Sequence, residues 1–330
     1  MLPVALRPLV LFAAAMCAAT VLTLSGCAPV STAATTQAAY GGELTLRPQG
    51  SPDVLLLAVS GRCPTSCKAP DDNIDYLTPR GTLKAVQNTL EAQGLSVVNY
   101  AVASHLDRHT VRTVVQAQIG AGRTVPADQD GFLQLEARLT TAYADWIRGR
   151  SNPTRIVLLA HSHGVVWTHA LTRAHPEVPV SAMIDLDGVC DFWAMDNRRF
   201  IQAYVQAYVA RLGRNPWGFN LADSCGSVRV GNLRYDLKDV VYPNVLADLE
   251  VQSVHLLGGS GTVMANAPYD SLQNIRTDGT RVGIQTYRSE GETHSSVSSP
   301  NGKALAWVEA RLTELSADWK PVSPLVLPQP

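Results

Sequence analysis

Among the 330 residues of the chain, the segment at 155–165, Arg-Ile-Val-Leu-Leu-Ala-His-Ser-His-Gly-Val, has the residue types and spacing for nucleophilic chemistry. A continuous apolar run, of the kind that forms a strand buried on both faces, stops at Ser162, which has Ala160 two residues before it and Gly164 two after. Small residues at those places let a strand and a following helix approach closely around a sharp turn, leaving the central side chain exposed at the tip. The helix expected over 165–175, closed by Pro176, points its N-terminal N–H groups at the place where an oxyanion would develop. A serine hydroxyl is a poor nucleophile until a base takes its proton, so Ser162 needs a histidine and an acid from elsewhere.

The segment resembles the nucleophile elbow of the α/β-hydrolase superfamily, whose motif is Gly-x-Ser-x-Gly, with Ala160 in place of the first glycine. The resemblance implies a doubly wound, mostly parallel sheet, acyl transfer with no metal or organic cofactor, and a triad whose last member in chain order is a histidine. Of the eight histidines, His294 occupies that place, in a loop after the last expected strand and before the final helix. His161 and His163 flank the serine but project away from it; the backbone N–H of His163 is expected to serve as one oxyanion donor. The second would come from the loop Ser60-Gly61-Arg62-Cys63, through Gly61 or Arg62. His255 reads as a core residue, and His105 and His109 as surface residues.

Two positions compete for the acid. Asp187 lies at the tip of the strand after the elbow, in Leu186-Asp187-Gly188, where some lipases of the superfamily carry theirs. Asp270 is the first carboxylate beyond the strand expected over 253–257, where many other members place it. Asp187 is preferred, with Asp185 and Asp191 as remainders.

The elements around these residues follow the rhythm of a doubly wound sheet. Strands are expected over 53–60, 95–102, 155–161, 180–186, 253–257 and 281–287, with an edge strand over 42–48. Helices are expected over 79–93, from Asp130 onward with Phe132, Leu135, Leu139, Tyr143 and Trp146 on one face, and over 300–315. Asp71, Asp72 and Asp75 read as a solvated loop, since their spacing fits no calcium site. An insertion at about 189–250 breaks the rhythm: Asp196 would cap a helix with Phe200, Ile201, Tyr204, Val205, Tyr208, Val209 and Leu212 on one stripe. Nine of the 21 aromatic residues fall between Phe192 and Tyr242, which reads either as a cap over an apolar substrate pocket or as plain packing.

The N-terminus reads as a signal segment, residues 1–26, with Arg7 before an apolar run. It ends in Leu24-Ser25-Gly26-Cys27, which resembles a bacterial lipobox and implies cleavage before a diacylated Cys27. Residues 27–41 would tether the hydrolase domain, 42–318, to an extracytoplasmic membrane face, and 319–330 form a Pro-rich tail. Ala28 lacks the aspartate of an inner-membrane retention signal, so a host with two membranes would carry the chain on the outer one.

Six cysteines are present, and Cys17 and Cys27 are accounted for by the signal segment and the lipid. The remaining four allow three pairings; Cys63 with Cys67 and Cys190 with Cys225 are favoured, each pair bracketing one loop or insertion. Their spacing suits no metal site. Net charge is −1 with no basic patch, which gives no footing to nucleic acid.

The function expected is hydrolysis of small-molecule or lipid carboxylic esters by Ser162, His294 and Asp187, as a carboxylesterase or lipase. The same residues would serve a thioesterase or amidase. A peptidase, with Arg62 and Arg198 as candidate groups for peptide termini, and a non-catalytic binding lipoprotein are the other readings.

Overall fold

The computed structural model describes residues 43–62, 74–107, 130–190, 193–255 and 272–319. The expected signal segment, Cys27, the tether, Cys63 and Cys67, Asp71 and Asp72, His109, Asp191, Asp270 and residues 320–330 lie outside them.

The chain enters at β1 (Val54–Val59) and turns through two helices, α1 (Leu77–Arg80) and α2 (Thr82–Ala92), into β2 (Val97–Val102). Helix α3 (Phe132–Ala142), prolonged by a π-helical turn at Tyr143–Ile147, leads to β3 (Arg155–His161), α4 (His163–Ala174) and β4 (Ala182–Leu186). An insertion follows, with a π-helical turn at Ala194–Arg198, helix α5 (Arg199–Leu212), the hairpin β5 (Ser227–Val230) and β6 (Leu233–Asp236), and the short β7 (Val240–Val241). The chain then completes β8 (Asp248–His255), β9 (Ile275–Arg276), β10 (Ile284–Thr293) and α6 (Lys303–Ser316).

Six of these strands form one parallel sheet in the order β10-β8-β4-β3-β1-β2. The chain runs outward from β1 to β2, returns to β3, and continues to the far edge. The strand order therefore reverses between β1 and β3, and the crevice outside their carboxyl ends is where open α/β sheets bind ligands.

Alternate residues of each strand face opposite sides, and the core divides accordingly. Leu55, Leu57, Val59, Ile156 and Leu158 pack on one side with Phe132, Leu135 and Leu139 of α3 and Val166, Trp167 and Leu171 of α4. Val54, Leu56, Ala58, Val157 and Leu159 pack on the other with Leu83, Val86 and Leu90 of α2 and Leu305, Val308 and Leu312 of α6. The insertion joins the first side through Trp193, Ile201, Trp217 and Leu221, with Tyr204, Val205 and Tyr208 partly buried against it. Cys190 and Cys225 are joined by a disulfide, with Cα atoms 5.7 Å apart.

Several expectations change. Residues 43–48, the described part of the expected edge strand, form none; Thr45 makes a single bridge with Arg150, because the segment lies over the loop before β3 and not beside a strand. The helix expected over 79–93 is interrupted at Gly81, whose φ of 90° suits a glycine and ends α1. Asp196 does not take the N-cap position of α5, which is Arg198, since it falls within the π-helical turn that runs into that helix. His105 is buried, its carbonyl accepting the N–H of Phe132 at the start of α3. Asp75 is no solvated acid: its Oδ1 accepts from Ser60 Oγ (2.8 Å) and from the N–H groups of Leu77 and Thr78, tying α1 to the end of β1.

Strand β8 begins at Asp248, five residues before the expected start, because its polar residues are buried. Asp185 of β4 lies opposite Glu250 of β8. Asn274 Nδ2 donates to Asp185 Oδ2 (3.0 Å) and Asp248 Oδ2 (2.8 Å), and His169 Nε2 bonds Asp185 Oδ2 (2.7 Å). Burial, with Asp185 beside it, pushes the Asp248 carboxyl well above the carboxylate range. Burial likewise pushes Glu250 up to about 7, although Thr286 Oγ1 and Asn274 N–H donate to it.

The native state thus holds a proton at Glu250 that the unfolded chain, with this carboxyl near the usual 4.5, loses earlier. Stability from this site is greatest below that value and falls as pH rises to about 7. Thermal unfolding should show Tm declining between about pH 5 and about pH 8, with the decline shallower in Glu250→Gln. An identical slope in the variant would contradict the assignment.

Candidate active site

Ser162 follows directly on β3 and opens α4 with φ 60° and ψ −128°. Among the described residues, only Ser162 and Asp187 combine a side chain with positive φ. Such backbone costs about 1–3 kcal/mol per residue, so it persists only where the surroundings enforce it. At Gly164 an added Cβ would lie 2.1 Å from the Val59 carbonyl oxygen, so helix α4 meets the end of β1 backbone to backbone. At Gly188 an added Cβ would meet Val165 Cγ1 at 2.7 Å, and the turn after β4 is pressed equally hard against α4.

Sheet register brings the functional side chains to one level. Val59 pairs with Ala160, and continuing that ladder sets Gly61 beside Ser162. His161 pairs with Leu186, and Ser162 N–H donates to the Leu186 carbonyl at 3.1 Å, which sets Asp187 beside Ser162. Asp187 N–H donates to Val251 O (2.8 Å), and Thr293 at the end of β10 pairs with His255. His294 comes next in the chain.

These positions close into one hydrogen-bonded chain. His294 Nδ1–H donates to Asp187 Oδ2 at 2.7 Å, and Ser162 Oγ–H donates to His294 Nε2 at 2.9 Å. Asp187 Oδ2 also accepts from Ser253 Oγ (2.5 Å), and Oδ1 accepts the Ser253 N–H (2.7 Å). The Asp187 side chain is fully buried while His294 keeps 15% exposure. The buried carboxyl takes three donors, and the imidazole between it and the serine is held in the tautomer whose Nε2 can take a proton. Asp185, on β4 two residues before Asp187, bonds His169 and Asn274 instead. Arg198 pairs with Asp223 at 3.4 Å.

The loop after β1 is less open than expected. Gly61 lies directly against Ser162: an added Cβ would sit 2.2 Å from Ser162 Cβ and 2.8 Å from its Oγ. Its N–H donates to the Tyr76 hydroxyl at 2.9 Å, which removes it as an oxyanion donor and leaves the Arg62 N–H as this loop's candidate. Tyr76 in turn donates to His161 Nδ1, and His161 Nε2–H donates to the carbonyl oxygen of His294 at 2.6 Å. Burial, reinforced by His294 and Arg80, holds the His161 pKa well below its usual value, so this ring is neutral.

Tyr76, His161 and Ser253 were not singled out by sequence reasoning for these contacts. The sequence sets His161 beside the elbow but gives no partner for its ring, and Ser253 lies well inside β8, whose buried polar start reads as loop. No local pattern marks Tyr76, whose partners lie 15 and 85 residues away.

The strand order, the elbow after β3 and the histidine after the last strand together give the α/β-hydrolase fold. No protein family and no curated protein matches the chain in sequence. Solved structures that match the chain at low likeness include the esterase domain of a Rhodothermus marinus protein, at 14% identity and TM-score 0.37, covering 83% of this chain and 90% of that one. A hormone-sensitive lipase from a metagenome library matches at 12% identity and TM-score 0.38, covering 88% and 93%. An esterase of Pyrococcus furiosus matches at 9% identity and TM-score 0.39, covering 81% of each. Likeness at this level transfers no residue role or activity.

Because Gly61 has no room for a side chain, Gly61→Ala should cut the rate at which Ser162 reacts with a fluorophosphonate by about 100-fold, the scale of an ångström misplacement at a reacting centre. Circular dichroism should remain that of a folded chain. Labelling at the wild-type rate would mean that the loop is not packed against the serine.

Proposed function

We propose that the protein is a serine hydrolase of carboxylic esters, a carboxylesterase or lipase, with Ser162 as nucleophile, His294 as general base and acid, and Asp187 as the orienting acid. The observation that carries the reading is the continuous chain Ser162 Oγ, His294 Nε2, His294 Nδ1, Asp187 Oδ2, with links of 2.9 and 2.7 Å, at the carboxyl ends of a parallel sheet where its order reverses.

The chemistry follows from that arrangement. Ser162 Oγ attacks the ester carbonyl carbon as its proton passes to His294 Nε2, and the carbonyl π electrons move onto oxygen. The buried charge of Asp187 stabilises the imidazolium formed, and the backbone N–H groups of His163 and Arg62 are assigned to the oxyanion. Collapse breaks the bond to the leaving alkoxide, which takes the proton from Nε2 and departs as an alcohol. A water then gives its proton to Nε2 and its oxygen to the acyl carbon. The second collapse returns the carboxylic acid and the Ser162 hydroxyl.

Steady-state hydrolysis of p-nitrophenyl esters of increasing acyl length tests the reading. Ser162→Ala, His294→Ala and Asp187→Asn should each lose about a thousand-fold or more in kcat/KM. The acyl-length optimum separates carboxylesterase from lipase. A folded wild type without turnover on any ester, or a Ser162→Ala variant as active as wild type, would overturn the proposal.

A further inference from the structure

A second set of hydrogen bonds approaches His294 from the backbone side. A carbonyl oxygen only accepts, so the bond from His161 Nε2 to the His294 carbonyl fixes the proton on Nε2. The neutral ring then offers a lone pair at Nδ1, which takes the Tyr76 O–H, and the Tyr76 oxygen accepts the Gly61 N–H at 2.9 Å. Every link in this path has one possible direction. The path begins on the backbone of the turn beside the serine and ends on the backbone of the histidine.

No strand ladder joins those two turns. β1 and β10 are separated in the sheet by β3, β4 and β8, and Gly61 and His294 belong to distant parts of the chain. The rings that bridge them are held on several sides. Tyr76 and His161 are both almost completely buried and meet edge to face with centroids 5.6 Å apart; the His161 and His294 rings are 4.8 Å apart. The Arg80 guanidinium lies 4.8 Å from the centroid of the Tyr76 ring and donates to the Ser295 carbonyl at 2.9 Å, so α1 holds the same turn one residue further on. The side-chain hydrogen bonds of Tyr76 and His161 run to backbone atoms of Gly61 and His294 and to each other, not to Ser162 Oγ.

We propose that Tyr76 and His161 are positioning residues for the reaction of Ser162: they hold the His294 backbone and the Gly61–Arg62 turn at one fixed separation, so that base and oxyanion donor face the nucleophile together. The inference rests on the serine-hydrolase reading. It also accounts for a buried tyrosine and a neutral buried histidine that take no part in the proton transfers themselves. A misplaced base lowers the rate of the chemical step without removing substrate contacts, so the effect belongs in kcat and not in KM.

The test compares wild type with Tyr76→Phe, His161→Leu and His161→Gln, measuring kcat and KM on the best p-nitrophenyl ester, labelling of Ser162 by a fluorophosphonate, and thermal unfolding. Tyr76→Phe and His161→Leu should lower kcat by roughly 10- to 100-fold with KM within about twofold. His161→Gln, whose side-chain amide can still donate to the His294 carbonyl, should recover most of the loss. Should His161→Leu not fold, Tyr76→Phe, which removes a single oxygen, carries the test. Folded Tyr76→Phe or His161→Leu with kcat unchanged would overturn the proposal, as would His161→Gln no better than His161→Leu at equal stability. If wild type itself neither turns over esters nor is labelled at Ser162, the hydrolase reading fails and takes this inference with it; an active wild type beside unaffected variants fails the inference alone.

Discussion

Everything at the site depends on the backbone of Ser162, held at φ 60° between a strand and a helix. That conformation costs about 1–3 kcal/mol, and Asp187, at φ 52°, adds a second such cost. The strand that delivers Ser162 buries Ile156, Val157, Leu158 and Leu159 completely, each contributing about 1.5–3 kcal/mol. The sheet therefore outweighs the strain, and what fixes its form is close packing: Gly164 against the carbonyl of Val59, Gly61 against Ser162, and Gly188 against Val165. A side chain at any of the three would force the turn away from the position at which the serine hydroxyl meets His294.

The same residue types do different work a few ångströms apart. Asp187 and Asp185 lie on one strand end, both buried, yet Asp187 receives two bonds from Ser253 and one from His294, whereas Asp185 shares Asn274 with Asp248 and bonds His169. Alternation along β4 would put the two on one side, but Asp187 lies past the strand end, where the chain turns with φ 52° and carries its side chain elsewhere. The carboxyl that meets donors from three directions suits a fixed negative charge. Burial, with other acids nearby, pushes Asp248 and Glu250 toward the protonated form.

The sheet and the elbow were legible in the sequence because they rest on local rules: uninterrupted apolar runs for strands buried on both faces, and small residues on either side of a serine. His294 was legible from chain order alone. Asp187 could be preferred to Asp270 from the sequence, but its partners could not be read there, because comparing strand ends needs the third dimension, and the competing Asp270 follows from a strand expected to begin at Ser253. β8 hid its true start because Asp248, Glu250 and Gln252 are buried together, where alternation normally marks a solvent face. For Gly61 the loop does lie against Ser162, but the N–H expected to be free for an oxyanion is taken by a tyrosine that no spacing rule connects to it. Tyr76 and His161 acquire their partners only when β1, β3 and the turn after β10 come together, and one-dimensional periodicity carries no trace of that.

The most direct measurement is mass spectrometry of the intact protein and its peptides after brief exposure to a fluorophosphonate at neutral pH, in wild type and in His294→Ala. If Ser162 is a nucleophile activated through His294, wild type gains one adduct, located on the peptide that contains Ala160-His161-Ser162-His163-Gly164, and His294→Ala gains almost none in the same time. Modification spread over other serines, no adduct on the folded wild type, or equal labelling of the variant would contradict the account.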